Sequence, residues 1–319
     1  MRIDLHTHSS RSDGTDTPTE LVRAAKAAGL DVIALTDHDT TAGWDEAAEA
    51  GERSGVDVIC GAELSCRLDG IQIHLLMYNF DRDEPEFAAL RVKLRDDRES
   101  RAKLIVERCQ ELGAPITWSQ VARIAGDAAI GRPHVASALV EAGVVGTVSE
   151  AFSSDWLADG GRAHVEKFAL DPFLALALAE KSGGITVFAH PAAASRGRIV
   201  DDAQIAALAA AGLNGIEADH ADHKPADRER IRALAADLGL AATGSSDYHG
   251  TRKTLRIGEN TTSPEAFETL FGSVEQAVEA TARARHAALN GAVNGAANGM
   301  AEDSASGAAA AVREPDDHV

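Results

Sequence analysis

The sequence predicts an α/β fold, a distorted (β/α)7 TIM-like barrel with a small helical domain inserted into it. Three observations carry this expectation. Short apolar stretches alternate with segments of helical spacing towards both ends of the 319-residue chain. Between them, from Glu84 to about Leu157, the pattern is helical and no strand signal occurs. Histidines and carboxylates stand just past most of the strands, where a barrel gathers its site on the carboxyl face; a doubly wound open sheet would draw them from one crevice instead. The expected organisation is residues 1–98 for the first part of the barrel, 99–167 for the inserted helical domain and 168–285 for the second part. Residues 286–319 read as a disordered, Ala- and Gly-rich acidic tail without periodicity.

The first strand, Ile3-Asp4-Leu5, runs into His6-Thr7-His8, and two histidines two apart at a strand's end project to one side and can share an ion. Asp13, ahead of Gly14, adds a hard oxygen ligand within reach of a second ion. Pro18 in a first turn, apolar residues at Leu21, Val22, Ala25 and Ala28, and a stop at Gly29 mark a helix. Asp31 to Leu35 is the second strand, leading into Thr36-Asp37-His38-Asp39; Glu46 to Ser54 is a helix and Val56 to Gly61 the third strand, with Glu63 expected just after it. The fourth strand, Ile71 to Tyr78, carries His74, either a ligand or a core histidine satisfied by hydrogen bonds.

Helices are expected through Glu84 to Gly113, Trp118 to Ile124, His134 to Ala142 and Val148 to Leu157. Within this stretch Gly131-Arg132-Pro133-His134 sets an arginine and a histidine at a helix start, which reads either as a phosphate seat or as a turn with a solvated arginine. Alternation resumes with a helix from Pro172 to Lys181 and a fifth strand, Ile185 to Ala189, ending in His190-Pro191. Arg196 and Arg198 follow as candidates for phosphate contact. A helix from Asp201 to Ala211 leads to a sixth strand, Gly215 to Ala218, followed by His220 and His223; Pro225 to Leu238 is a helix. The seventh strand, Leu240 to Thr243, runs into Gly244-Ser245-Ser246-Asp247-Tyr248-His249, and a helix from Pro264 to Phe271 closes the barrel.

Composition excludes several functions. A net charge of -19 is the opposite of what a clamp on long nucleic acid needs, although bound ions and a few arginines can still make a positive pocket. No run approaches the ~20 apolar residues of a membrane span, and the N-terminus carries no signal-peptide pattern, so the expected location is cytoplasmic. Cys60, Cys66 and Cys109 lack metal spacing and form no disulfide framework. No glycine-rich cofactor loop is present.

Nine imidazoles and carboxylates remain: His6, His8, Asp13, His38, Glu63, His74, His190, Asp247 and His249. This mixture of nitrogen and oxygen donors suits Mn, Fe or Zn better than Mg or Ca. The stretches DLHTHSSRSDGT, ALTDHDT, GAELS, HLLMY, FAHP and GSSDYHG resemble, in this order, the signatures of the polymerase-and-histidinol-phosphatase (PHP) family of metal-dependent phosphoesterases. The resemblance implies a seven-stranded distorted barrel with two or three divalent ions, manganese first. It places His6, His8, Glu63 and Asp247 around one ion, has Glu63 bridge to a second ion held by His74 and His190, and gives Asp13, His38 and His249 to a third. Asp37 is implied to orient a histidine. Asp13, Glu63 and Asp247 would carry the catalytic ions, and a metal-bridging hydroxide would attack phosphorus. His220 or His223 would protonate the leaving oxygen, or both are surface residues. Arg132, His134, Arg196, Arg198 and His223 are the substrate-contact candidates.

Gly-Arg-Pro-His and the helical insertion resemble the branch with nucleoside 3′,5′-bisphosphate phosphatases and a short-RNA 5′ exonuclease. The implied substrate is a small phosphorylated metabolite, foremost a nucleoside 3′,5′-bisphosphate losing its 3′-phosphate. Short oligonucleotides, histidinol phosphate and a metal-loaded regulatory protein without turnover are the alternatives. Met77 departs from the glycine usual in that branch and is expected to narrow the site. The sequence carries no signal for oligomeric state.

Overall fold

The computed structural model describes residues 1–126, 130–158, 160–166 and 168–285; the expected tail and one end of the expected insertion, Lys167, lie outside them. Strand β1 (Ile3–Thr7) is followed by helix α1 (Pro18–Ala27), where Thr17 and Glu20 form a capping box and Pro18 opens the first turn. Strand β2 (Val32–Leu35) leads to α2 (Trp44–Ser54), which ends on left-handed Gly55. Strand β3 (Asp57–Leu68) continues seven residues past the expected end at Gly61 and turns directly into β4 (Ile71–Tyr78). The turn is Asp69-Gly70, both with positive φ (50° and 76°), the conformation that two-residue hairpins favour. β4 therefore runs antiparallel to β3 and to β5, which is where this barrel is distorted from an all-parallel one.

One helix, α3 (Pro85–Glu111), rises into the insertion, followed by α4 (Trp118–Ala125), α5 (Arg132–Glu141) and α6 (Val148–Ala151). α6 stops well short of Leu157 because Phe152-Ser153-Ser154-Asp155 turns the chain. Trp156 and Ala158 donate their backbone N–H to Ser153 O, and short polar side chains favour such turns over helix. The chain returns through α7 (Pro172–Lys181), β5 (Ile185–Ala189), α8 (Asp202–Ala210), β6 (Gly215–Asp219), α9 (Pro225–Leu238), β7 (Ala241–Gly244) and α10 (Pro264–Phe271). A further helical stretch at 274–285, not anticipated from the sequence, follows.

The seven strands lie side by side in chain order, and isolated bridges Ile3–Thr262 and Thr7–Tyr248 nearly close β1 onto the β7 side. Ile3, Leu5, Val32, Ala34, Leu76 and Tyr78 belong to one apolar cluster with Phe267 and Phe271 of α10. Leu64, Cys66, Leu75 and Met77 belong to a second cluster with residues of the flanking helices. The insertion has its own cluster around Ile105, Ile116, Val135 and Leu139. None of the described helices is long and apolar enough to cross a membrane.

Gly61 shows how tight the hairpin is. A Cβ there would stand 2.9 Å from Met77 O and 2.9 Å from Tyr78 Cδ1, and the carbonyl is fixed by the ladder. Gly61→Ala is expected to lower the unfolding free energy by about 1–3 kcal/mol, the usual cost of overpacking a rigid site. A urea midpoint equal to that of the parent protein would show that the hairpin yields.

Candidate metal centre and substrate cleft

β1 ends at Thr7, and the serine loop after it is held by Asp37. Its carboxylate accepts from Ser9 N (2.8 Å), Ser9 Oγ (2.6 Å) and Ser12 Oγ (2.6 Å). Asp37 thus orders a loop rather than orienting a histidine. Gly14 is required by a close approach, since a Cβ there would lie 2.5 Å from His8 O. The loop carries Asp13 to His249 Nε2 (3.3 Å), His38 Nε2 (3.7 Å) and His8 Nδ1 (3.8 Å).

Glu63 occupies the middle of the site. Its Oε2 lies 3.0 Å from His38 Nδ1, 3.2 Å from His8 Nε2 and 3.3 Å from His6 Nε2; its Oε1 lies 2.6 Å from His74 Nδ1 and 3.1 Å from His190 Nε2. Glu63 lies within β3 rather than past its end as expected, and His74 lies within β4 as expected. Along β3, Leu64, Cys66 and Leu68 join the outer apolar cluster, which gives the intervening Glu63, Ser65 and Arg67 to the opposite face. Asp247 closes the far side, with Oδ1 3.6 Å from His6 Nε2 and 3.4 Å from both His8 Nε2 and His249 Nδ1.

Several buried atoms here lack what they need. His6 and His8 turn their Nε2 atoms to within 3.0 Å of each other. Buried His8 Nδ1 and His38 Nδ1 have no hydrogen-bond partner. Five imidazoles around one carboxylate cannot all be cations, yet each points a nitrogen at it. Divalent cations satisfy such a set, because one ion accepts lone pairs from several rings and carboxylates together. Ligand atoms converge in three groups: His8, Asp13, His38 and His249; His6, His8 and Asp247; His38, Glu63 and His74. His8 and His38 are shared between groups, where the family resemblance had each serve one ion.

The electrostatics agree with this fit. Burial pushes the carboxyls of Glu63, Asp13 and Asp247 up, but the surrounding imidazoles at Glu63 and Asp13, and Lys253 and Arg196 followed by imidazoles at Asp247, outweigh it and hold all three well below the usual range. Burial, with Arg196 nearby, lowers His190 to about 3 and leaves its ring neutral. Burial also disfavours the charged form of His8, yet hydrogen bonds with Asp247 and Glu63 raise it to about 9.

Two residues that sequence reasoning missed support the site. Glu217, in β6, accepts from His6 Nδ1 (3.0 Å), from His190 N (2.7 Å) and from Ser245 Oγ, which leaves His6 Nε2 for an ion. Its signal in the sequence is a carboxylate between Ile216 and Ala218 in a strand of otherwise apolar residues as far as Ala218. Lys253 Nζ lies 2.7 Å from Asp247 Oδ2.

The other candidates divide. His220 is buried, and its Nδ1 accepts from Asp222 N (3.1 Å), so the neutral ring carries its proton on Nε2, 3.5 Å from Asp247 Oδ2. His223 is no substrate contact or acid, because its Nδ1 donates to Ala218 O (3.0 Å) and its Nε2 accepts from Ala192 N (3.1 Å). His134 is a cap rather than a substrate ligand: its buried ring accepts from Gly131 N (3.0 Å) through Nδ1. The phosphate seat expected at this helix start is depleted likewise, since Gly131 N is spent on His134, Pro133 has no N–H and His134 N donates to Gly131 O (3.0 Å). Arg132 donates Nη1 to Leu157 O (3.1 Å). Arg196 is held by Asp247 (2.7 Å) and Asp222 (2.6 Å), so it neutralises a carboxylate of the site. Met77 does not narrow the site; it packs in the outer cluster, with Cε close to Gly184.

Asp13, His38, His74 and His190 open into a cleft of about 580 Å³, whose wall includes Arg67, Arg98, Arg101, Arg132, Arg196 and Arg198 against the acids Asp13 and Glu166. A strongly acidic protein has thus concentrated positive charge beside its ligand cluster.

Two outcomes follow from this geometry. Glu63→Gln should loosen more than one ion, because its two oxygens face different rings, whereas Asp13→Ala should remove mainly one; elemental analysis of the purified variants decides, and equal full loading would refute the assignment. Ligand rings must also be neutral to bind metal. Since His8 keeps its proton up to about pH 9, metal uptake at neutral pH should release protons and weaken as pH falls from about 8 to about 6. Calorimetry in buffers of different ionisation enthalpy measures this, and uptake without proton release would contradict it.

Residues 4–116 match the family model described as the PHP domain. The chain is 34% identical over 265 residues to a 5′-3′ exoribonuclease of Haemophilus influenzae, an alignment covering 81% of this chain and 94% of that protein. It is 34% identical over 288 residues to a 3′,5′-nucleoside bisphosphate phosphatase of Chromobacterium violaceum, covering 86% and 97%. Among solved structures, a metal-dependent phosphoesterase from Bifidobacterium adolescentis superposes with a TM-score of 0.81 at 36% identity, over 84% of this chain and 95% of that one. With likeness along nearly the whole length of these relatives, and a converged set of imidazoles and carboxylates at its centre, the chain belongs to the PHP family of metal-dependent phosphoesterases.

Proposed function

We propose that this phosphoesterase removes the 3′-phosphate from a nucleoside 3′,5′-bisphosphate, using two or three divalent ions, manganese first with iron or zinc as alternatives. The observation that carries the reading is the ligand cluster opening into an arginine-lined cleft, which suits a substrate with negative charge beyond the reacting phosphate. The chemistry of the bisphosphate phosphatase relative points the same way. When bound, the ions supply a water activated near neutral pH and neutralise charge on the phosphate.

The chain's own residues do the rest. Glu63 stands between the ligand groups, Asp13 and Asp247 hold the outer positions, and Glu217 keeps His6 turned inward. His220 presents a buried Nε2–H beside Asp247 as a hydrogen-bond donor to the leaving oxygen, whose proton comes from water. Arg132 grips the second phosphate with its planar fork, while Arg198 lines the cleft nearby. Three free, buried cysteines suit a reducing cytoplasm.

A second reading, 5′-3′ exonuclease activity on short oligonucleotides, is favoured by the name of the exoribonuclease relative and by a wall holding more arginines than one additional phosphate needs. Assaying the manganese-loaded protein on a 3′,5′-bisphosphate, on 5′-phosphorylated di- and trinucleotides and on p-nitrophenyl phosphate separates the two. Arg132→Ala should lower kcat/KM for the bisphosphate by roughly ten- to more than a hundredfold, the worth of a charge-assisted hydrogen bond, and that for p-nitrophenyl phosphate only weakly. An equal fall for both would make Arg132 a support of the metal centre, and turnover of oligonucleotides alone would favour the second reading.

A further inference from the structure

We propose that Phe152 and Ile199 form the seat of a planar heterocycle carried by the substrate, the nucleobase, and so set specificity for nucleotides over other phosphate esters. The proposal rests on the reading that the substrate is a nucleotide, and it adds which residues recognise the part that the ions and arginines ignore.

Of the few large apolar side chains that are exposed among the described residues, Phe152 (37%) and Ile199 (40%) are those that line the cleft that receives the ligand cluster. They arrive from separate segments. Phe152 follows α6 in the insertion, and Ile199 lies on the loop after β5, between Arg198 and Val200. A cleft serving only inorganic or sugar phosphates gains nothing from open apolar surface beside its cations. An exposed ring face is a stacking surface for any base, and a branched aliphatic side chain adds a flat apolar contact.

Arg132 joins this surface to the phosphate anchor. Its guanidinium carbon lies 5.7 Å from the centroid of the Phe152 ring, within cation–π range, while Nη1 is tied to Leu157 O. The guanidinium therefore lies over the Phe152 ring, which ties the phosphate anchor to this apolar surface. A ligand matching both has an anionic group and an aromatic ring on one short connector, as a nucleoside phosphate has and a sugar phosphate or aliphatic ester has not. Neither residue belongs to the ligand groups, so the seat can be altered without touching the ions.

The test compares binding of adenosine 5′-monophosphate and ribose 5-phosphate to the manganese-loaded protein by calorimetry, which needs no turnover. The parent protein should prefer the nucleotide by roughly five- to 150-fold, the range that stacking on one aromatic side chain confers. Phe152→Ala should erase most of that preference by weakening the nucleotide alone, Phe152→Trp should keep it and Ile199→Ala should reduce it. Equal affinity for the two ligands in the parent protein would overturn the proposal. So would an equal loss of both in Phe152→Ala, which would reduce Phe152 to a prop for Arg132. A protein that shows the preference but hydrolyses neither bisphosphates nor oligonucleotides would refute the proposed function and leave the seat standing.

Discussion

The site depends on the register between β3 and β4. Glu63 pairs with Leu76 and Ser65 with His74, which makes Glu63 and His74 diagonal neighbours on one face of the hairpin. Across the next ladder His74 pairs with Ala189, the residue before His190. Two antiparallel pairings thus bring one carboxylate and two imidazoles together. A slip of one residue would turn Glu63 into the outer apolar cluster and Leu64 into the site. A buried carboxylate without partners is costly, and here the ordered rings, and the cations they can gather, compensate it. The reversal at Asp69-Gly70 is therefore part of what assembles the ligand cluster, since a parallel β4 would reverse the order in which His74 meets its neighbours.

Around that register the chain accepts strain. His190 and Asp247 both have φ in the left-handed region, 34° and 50°, which costs a non-glycine residue on the order of 1–3 kcal/mol. The compensation is visible. Glu217 accepts the backbone N–H of His190, Arg196 and Lys253 hold the Asp247 carboxylate, and the backbone O of Asp247 accepts from His249 Nδ1 at 2.8 Å. That last bond also sets the His249 tautomer, leaving Nε2 for Asp13 and any ion beside it. Glu217 serves β1 and β5 from a third strand, so one carboxylate fixes histidines distant in sequence.

Most elements were legible because period and caps coincide. Pro172 to Lys181, Pro225 to Leu238 and Pro264 to Phe271 each open on a first-turn proline and fall at the expected bounds. The hairpin lies outside the expectation although Asp69-Gly70 is a strong signal, because a third strand ending at Gly61 leaves Glu63 beyond it instead of on the inward face of a continuing strand. The nine ligand candidates stand close together in space, since their residue types recur at strand ends and within one hairpin. What the sequence could not show was partnering. His223 and His134 look like chemistry in one dimension and are satisfied by backbone in three, while Glu217 stands far in sequence from His6 and His190, and nothing in the residue types near Lys253 marks it as the partner of Asp247. Met77 illustrates the same limit: its position after His-Leu-Leu says nothing about the side of β4 on which it lies.

Ions draw in any phosphate, and α3 ties the segment that lines the rest of the cleft to the barrel. Phe87 and Leu94, in its first half, pack in the barrel's outer cluster, while Ile105, Val106 and Cys109, further on, pack in the insertion's own cluster. Between these halves Arg98 reaches Asp39 at 2.5 Å, and Asp39 accepts from Ser65 N and Oγ on β3, two residues from Glu63. One helix therefore references the insertion to the strand that carries the central carboxylate. Because the insertion's apolar cluster is separate from the barrel's, its cleft residues can change without disturbing the ladders that hold the ligands. Against a net charge of -19, the arginine wall beside the ligand cluster is a local concentration of positive charge, and there the insertion presents Arg132 and Phe152.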